Sequence, residues 1–146
     1  MIYLGLDLGS KTLGLSISDK TSTIASSLKV IIYNSEEELF MELSKIVEDY
    51  KVDAFVLGNP KNLDGSLSKR SEITLKFKEK LEKKYNKEVI LQDERLSTVE
   101  AERVLIGSHI RRNNRKKVID SMAAVIILQT FLDKGSGKYE YNYNWK

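Results

Sequence analysis

Over the first eighteen residues apolar positions alternate with small or polar ones at a period of two, which predicts two strands closed by a turn at 9–12. Ile2, Leu4, Leu6 and Leu8 fall on one side of the first strand, and Tyr3, Gly5 and Asp7 on the other. In the second strand Leu13, Leu15 and Ile17 form an apolar side, while Gly14, Ser16 and Ser18 form a small, polar one. Paired in register, the hairpin holds Asp7 over a floor of glycine and serine on which a helix or a ligand backbone can come close. A carboxylate in a sheet interior is costly unless charge or hydrogen bonds compensate it. The plainer role for Asp7 is to bond the turn amides behind it.

Farther along, Thr23 to Tyr33 reads as a third strand around Val30-Ile31-Ile32, and Ser35 with Glu38 forms a capping box that opens a helix. Leu39, Phe40, Leu43, Ile46, Val47 and Tyr50 give that helix one apolar stripe. Asp53 to Gly58 is a short continuous apolar run, as in a strand covered on both faces. Gly58 to Ser66 is turn chemistry around the sole proline, a loop at a strand end where such sheets carry much of their binding. A basic helix over Leu67 to Tyr85 repeats Ile73, Phe77 and Leu81 at four-residue steps, and Glu88 to Gln92 is another buried strand. Ser97 and Glu100 make a second capping box, ahead of a helix through Ala101, Val104 and Leu105. From Val118 to Leu132 a last helix is apolar nearly all round and is expected to be buried. Strands and helices in alternation imply parallel pairing with right-handed crossovers, added to the antiparallel opening. The predicted fold is mixed α/β, one sheet with helices packed on it.

The 146 residues suit a single domain with its own core. The absence of cysteine excludes disulfides and thiolate metal sites. No apolar run approaches the ~20 residues of a membrane span, and the N-terminus enters a strand directly, so a cytoplasmic protein without a membrane partner is expected. A net charge of +3 says little, but Arg111 to Lys117 concentrates five positive charges in seven residues. Such a run is often a solvated loop, but this one leads straight into the last helix.

Asp93 and Glu94 stand at a strand end and must point to opposite faces if the strand continues, so one of them reaches the Asp7 face. Pairing with Arg95 and the following helix start is the alternative. Asp120 interrupts the last helix, and Ala123, Ala124 and Ile127 on its face are small or apolar enough to lie against the glycine and serine row. Asp7, Glu94 and Asp120 can thus be drawn to one place, where unneutralised carboxylates would raise one another's pKa. Divalent metal is the simplest counter-charge, and oxygen donors favour one or two Mg²⁺ or Mn²⁺ ions over zinc. His109, the single histidine, reads as an exposed loop residue rather than a ligand. Two such ions can activate a water and steady the leaving oxygen of a phosphodiester. Lys11, Lys61, Asn62, Arg95, Arg111, Arg112, Arg115 and Lys116 are the candidate contacts to nucleic acid.

Four segments, Gly5-Leu-Asp-Leu-Gly-Ser-Lys11, Gly58-Asn-Pro to Asp64-Gly65, Asp93-Glu-Arg-Leu-Ser-Thr-Val-Glu-Ala101 and Asp120-Ser-Met-Ala-Ala-Val-Ile-Ile-Leu128, together resemble the YqgF (RuvX) family over residues 2–133. The resemblance implies a ribonuclease H-like fold and a nuclease that processes the 5′ end of pre-16S ribosomal RNA; members were earlier proposed as Holliday junction resolvases. It also implies that Asp7, Glu94 and Asp120 are metal-binding catalytic acids. Thr12 stands where the family often has a basic residue, and Gly58-Asn-Pro60 where it usually has Gly-Leu-Pro. The nuclease domain is expected over 1–133, followed by a flexible tail, 134–146, with Tyr139, Tyr141, Tyr143 and Trp145. Asp7 to Gly14 also resembles the first phosphate loop of actin-like and sugar-kinase ATPases, but those bind ATP between two large domains. A non-catalytic RNA-binding factor of ribosome assembly would keep the same fold. RNA against branched DNA, monomer against homodimer, and Asp93 against Glu94 stay open at the level of sequence.

Overall fold

The computed structural model describes residues 1–59, 69–93 and 112–135, and of residues 69, 93, 112–121 and 135 the backbone alone. The hairpin forms as its alternation requires: β1 (Tyr3–Leu8) and β2 (Thr12–Ser18) pair antiparallel with Leu6 opposite Leu15 and Asp7 opposite Gly14. The Gly9 amide donates to the Thr12 carbonyl at 2.8 Å and closes the turn. β3 (Ala25–Ile32) adds antiparallel to β2. In the β2–β3 connection Asp19 accepts bonds from the Thr21 hydroxyl and from the Thr23 and Ile24 amides, which hold its carboxyl at about 2, below the usual carboxylate range.

α1 (Glu36–Asp49) starts at Ser35, whose hydroxyl oxygen accepts from the Glu38 amide at 3.2 Å. Ser35→Ala is expected to cost about 1 kcal/mol, the usual worth of such a cap, read as a lower urea midpoint at unchanged slope. β4 (Ala54–Asn59) lies parallel to β1, α2 (Lys69–Tyr85) crosses over, and β5 (Val89–Asp93) lies parallel to β4. The five-stranded order is β3-β2-β1-β4-β5, so β1 is central. The remaining described element is the helix α3 (Arg112–Gly135). No helix among the described residues is long and apolar enough to cross a membrane.

The two sides of the sheet differ in how closely they are packed. On one, Leu4, Leu6, Leu13, Leu15, Phe55 and Leu57 meet Leu39 and Leu43 of α1 and Phe77 and Leu81 of α2 in the main core. On the other, Val56 meets Ile127, Leu128 and Leu132 of α3, and the ring of Phe131 stands edge-on to Tyr3 at 5.0 Å. The Ser16 hydroxyl donates to the Ala124 carbonyl at 2.7 Å, so the alanine face of α3 rests on the small row of the hairpin as its residues allow. Gln129 ties the same helix to the β3 end of the sheet: its Oε1 accepts from the Ala25 amide at 2.9 Å and its Nε2 donates to the Thr23 carbonyl at 3.0 Å.

Two expectations need correction. Ile73 leaves the apolar stripe of α2 and is 59% exposed, because Ser71 and Thr74 join Phe77 and Leu81 on the buried side. The last helix is not buried all round: Ala123, Ala124, Ile127, Leu128 and Leu132 are covered, while Val125 and Ile126 remain partly exposed on its outer side.

Candidate active site

Parallel pairing brings the carboxyl ends of β1, β4 and β5 to one edge, and Asn59 is level with Asp93 there. Asp7 occupies that edge on β1. Strand alternation puts it on the side of Tyr3 and Gly5, which both meet α3, and not on the side of Leu6. Its neighbour on β2 is Gly14, and continuing the β1–β4 register by one residue brings it level with Gly58. Glycine therefore stands beside Asp7 on both neighbouring strands, and Asp7 is only partly buried.

α3 runs opposite to β1, since Phe131 meets Tyr3 while Leu128 and Ala124 meet Gly5. From Gly5 to Asp7 the strand advances about 7 Å, and from Ala124 back to Asp120 the helix advances about 6 Å. The backbone at Asp120 therefore arrives at the Asp7 end of the strand, on the helix face that carries Ala124. Eight residues earlier, Arg112 begins the helix about 12 Å farther out, past the sheet edge. The basic run thus lies mostly within α3 and is not a loop; Arg112, Arg115 and Lys116 are in its first turns.

Of the other predicted residues, Lys11 is exposed in the turn at this edge. Glu94, Lys61, Asn62, Arg95, Arg111 and His109 lie outside the described residues, as do the second capping box, its helix and the C-terminal tail. β5 ends at Asp93, one residue before Glu94, and Gln92 is buried in the phase of Ile90, which packs on the α3 side.

Two residues carry little signal in the sequence. The Arg70 guanidinium donates to the Leu8 carbonyl at 2.5 Å, fastening the start of α2 to the end of β1 across 62 positions. Nothing in a run of basic helical residues distinguishes Arg70 from its neighbours. Asn59 is buried with no hydrogen-bond partner for its Oδ1 among the described residues, and its position next to the proline-containing segment is the one hint available.

Among the described residues no cluster of three or more metal-ligating side chains occurs, and Asp7 alone of the three candidate acids has a described side chain. Its hard oxygen donors, in a chain without cysteine, suit a divalent cation such as Mg²⁺ or Mn²⁺.

The chain is similar to proteins of known name and structure. Residues 1–134 match the family model described as RuvX, Holliday junction resolvase. A Bacillus cytotoxicus protein named "Putative pre-16S rRNA nuclease" is 47% identical over 135 residues, covering 91% of this chain and 98% of its own. Among solved structures, Thermus thermophilus RuvC in complex with a Holliday junction substrate superposes with a TM-score of 0.55 at 14% identity, over 93% of this chain and 97% of its own. The fowlpox virus Holliday junction resolvase gives 0.55 at 18%, over 92% and 99%. These structural likenesses establish a ribonuclease H-like fold, as the strand order suggests.

Proposed function

The chain belongs to the RuvX family, and we propose that it is a metal-dependent endonuclease of the cytoplasm that trims the 5′ end of pre-16S ribosomal RNA. The observation that carries the reading is the juxtaposition of Asp7, at the carboxyl edge of the central strand, with the turn of α3 that bears Asp120. Glu94 supplies the third acid, two residues beyond Gln92 in the same alternating phase. Asp93 is the competing choice, out of that phase by one residue.

Asp7, Glu94 and Asp120 would hold one or two Mg²⁺ or Mn²⁺ ions. Bound there, the metal supplies the counter-charge that lets the carboxylates share a site and lowers the pKa of an attacking water. The acids orient that water toward the scissile phosphorus. Lys11, Lys61, Asn62 and Arg95 hold the phosphates beside it, and Arg111, Arg112, Arg115 and Lys116 extend the contact beyond the sheet edge.

RNA is preferred because relatives at 47% identity carry an rRNA nuclease name. The family description favours a second reading, cleavage of branched DNA by a monomer or homodimer. The deciding experiment offers a labelled pre-16S 5′ region and a four-way DNA junction to the full chain, with Mn²⁺ or with chelator. Metal-dependent cutting of the RNA alone is expected. Cutting of the junction alone would transfer the assignment to resolvase, and metal-dependent binding without cutting of either would make the chain an assembly factor.

A further inference from the structure

Behind the catalytic edge, on the side of the sheet away from α3, a cavity of about 460 Å³ opens between the end of β1, the start of α1 and the first half of α2. That is within the ~300–1,000 Å³ of ordinary ligand sites. Its floor is apolar: Leu39 and Phe77 are buried beneath it, Leu8 forms one wall and Ile73 the rim. Ile73, turned out of the buried side of α2, puts an exposed aliphatic side chain at the mouth of this cavity.

The rim is cationic. Arg70, Lys76 and Lys80 line it against a single carboxylate, Glu36, which is paired with Lys80. Lys76 has no partner among the described residues, and Arg70 keeps donors beyond the one spent on Leu8. The Ser10 hydroxyl and Tyr33 add polar groups at the mouth. Such a site suits an anion with an apolar body, and apolar walls beside phosphate-binding cations fit a nucleotide. Leu8, Gly9 and Ser10 directly follow Asp7, so a strand crossing the turn from the catalytic edge passes the mouth of this cavity.

We propose that the cavity is a subsite for one nucleotide of a single-stranded nucleic acid, with the base against Leu8, Ile73 and Phe77 and the adjoining phosphate on Arg70 and Lys76. The proposal rests on the nuclease reading only in taking the strand past Asp7, and its test separates the two. Binding is measured by anisotropy of a labelled ten-nucleotide single-stranded RNA to the full chain in chelator, where no cleavage occurs. Ile73→Asp and Lys76→Glu are both surface changes, and each is expected to raise Kd about tenfold, as for loss of one stacked base or its phosphate contact. Lys45→Glu, an equal charge reversal on the exposed side of α1, is expected to change it less than about twofold.

Equal weakening by Lys76→Glu and Lys45→Glu, or wild-type binding by Ile73→Asp, would overturn the subsite. Adenosine monophosphate that competes as strongly as the ten-mer, nucleotide for nucleotide, would also overturn it, since the site would then serve a free nucleotide. A chain that shows the expected binding pattern yet cuts nothing with Mn²⁺ refutes the nuclease and leaves the subsite standing. A chain that cuts with an unchanged KM in Ile73→Asp refutes the subsite and leaves the nuclease.

Discussion

Asp7→Asn is expected to lower metal-dependent cleavage by more than about 100-fold while leaving thermal unfolding within a degree or two of wild type. The substitution keeps the shape of the side chain and removes the charge that would hold the cation. Loss of a residue that merely supports a ligand costs roughly 10- to 100-fold in metal affinity or activity, so loss of a ligand itself should cost more. The fold should be little disturbed, because asparagine keeps the size of the side chain and one of its acceptor oxygens, and Asp7 is only partly buried. Asp120→Asn should give a comparable defect, and the double variant little more than either alone, because groups that serve one cation act as a unit. The measurement is single-turnover cleavage by identically purified proteins. An Asp7→Asn protein that cuts at the wild-type rate would remove Asp7 from the site.

Gly5→Ala should be the most damaging single methyl group in the described structure. A Cβ at Gly5 would stand 2.2 Å from Ser16 Oγ, 2.8 Å from Leu128 Cβ and 3.0 Å from the Ala124 carbonyl oxygen. The serine hydroxyl can rotate away, at the cost of its bond to Ala124. The other two atoms belong to the body of α3 and can yield only if the helix lifts from the sheet. Overpacking of this kind costs about 1–3 kcal/mol and at times more. With the lost hydrogen bond, a fall of roughly 10 °C in Tm is expected for a domain of this size. Cleavage should fall as well, because the lifted helix carries the Asp120 turn. Calorimetry and activity on one preparation test both, and an unchanged Tm would mean that α3 does not rest on Gly5.

The parts of this fold that could be read in the sequence are those set by short-range periodicity. The alternation of residues 1–18 predicts the hairpin and the side on which Asp7 lies, Ser35 marks the start of α1, and Ala123 and Ala124 mark the face of α3 that comes closest to the sheet. Ile73 misleads for a geometric reason. Each four-residue step overshoots a helical turn by about 40°, so Ile73 and Leu81 are roughly 80° apart around the axis and cannot share a narrow buried stripe. The basic run from Arg111 looks like a loop because its charges carry no helical period, yet six of its seven residues, Arg112 to Lys117, belong to α3. The tie between Arg70 and Leu8 and the cavity behind it depend on pairings made across the whole domain, which no local pattern encodes. Of the candidate site, Asp7 and the Asp120 turn could be placed from periodicity, whereas the choice between Asp93 and Glu94 depends on where β5 ends relative to its neighbour.

The bond from Ser16 to Ala124 spans 108 positions of the chain. During synthesis, at about 5–20 residues per second, every strand of the sheet leaves the ribosome before the helix that covers one of its faces. Until that helix docks, Asp7 stands on an uncovered face, and the acid centre proposed at the sheet edge is incomplete. On the proposed site, a growing chain that has not yet docked α3 lacks the Asp120 turn, and would be unable to cut the ribosomal RNA beside it.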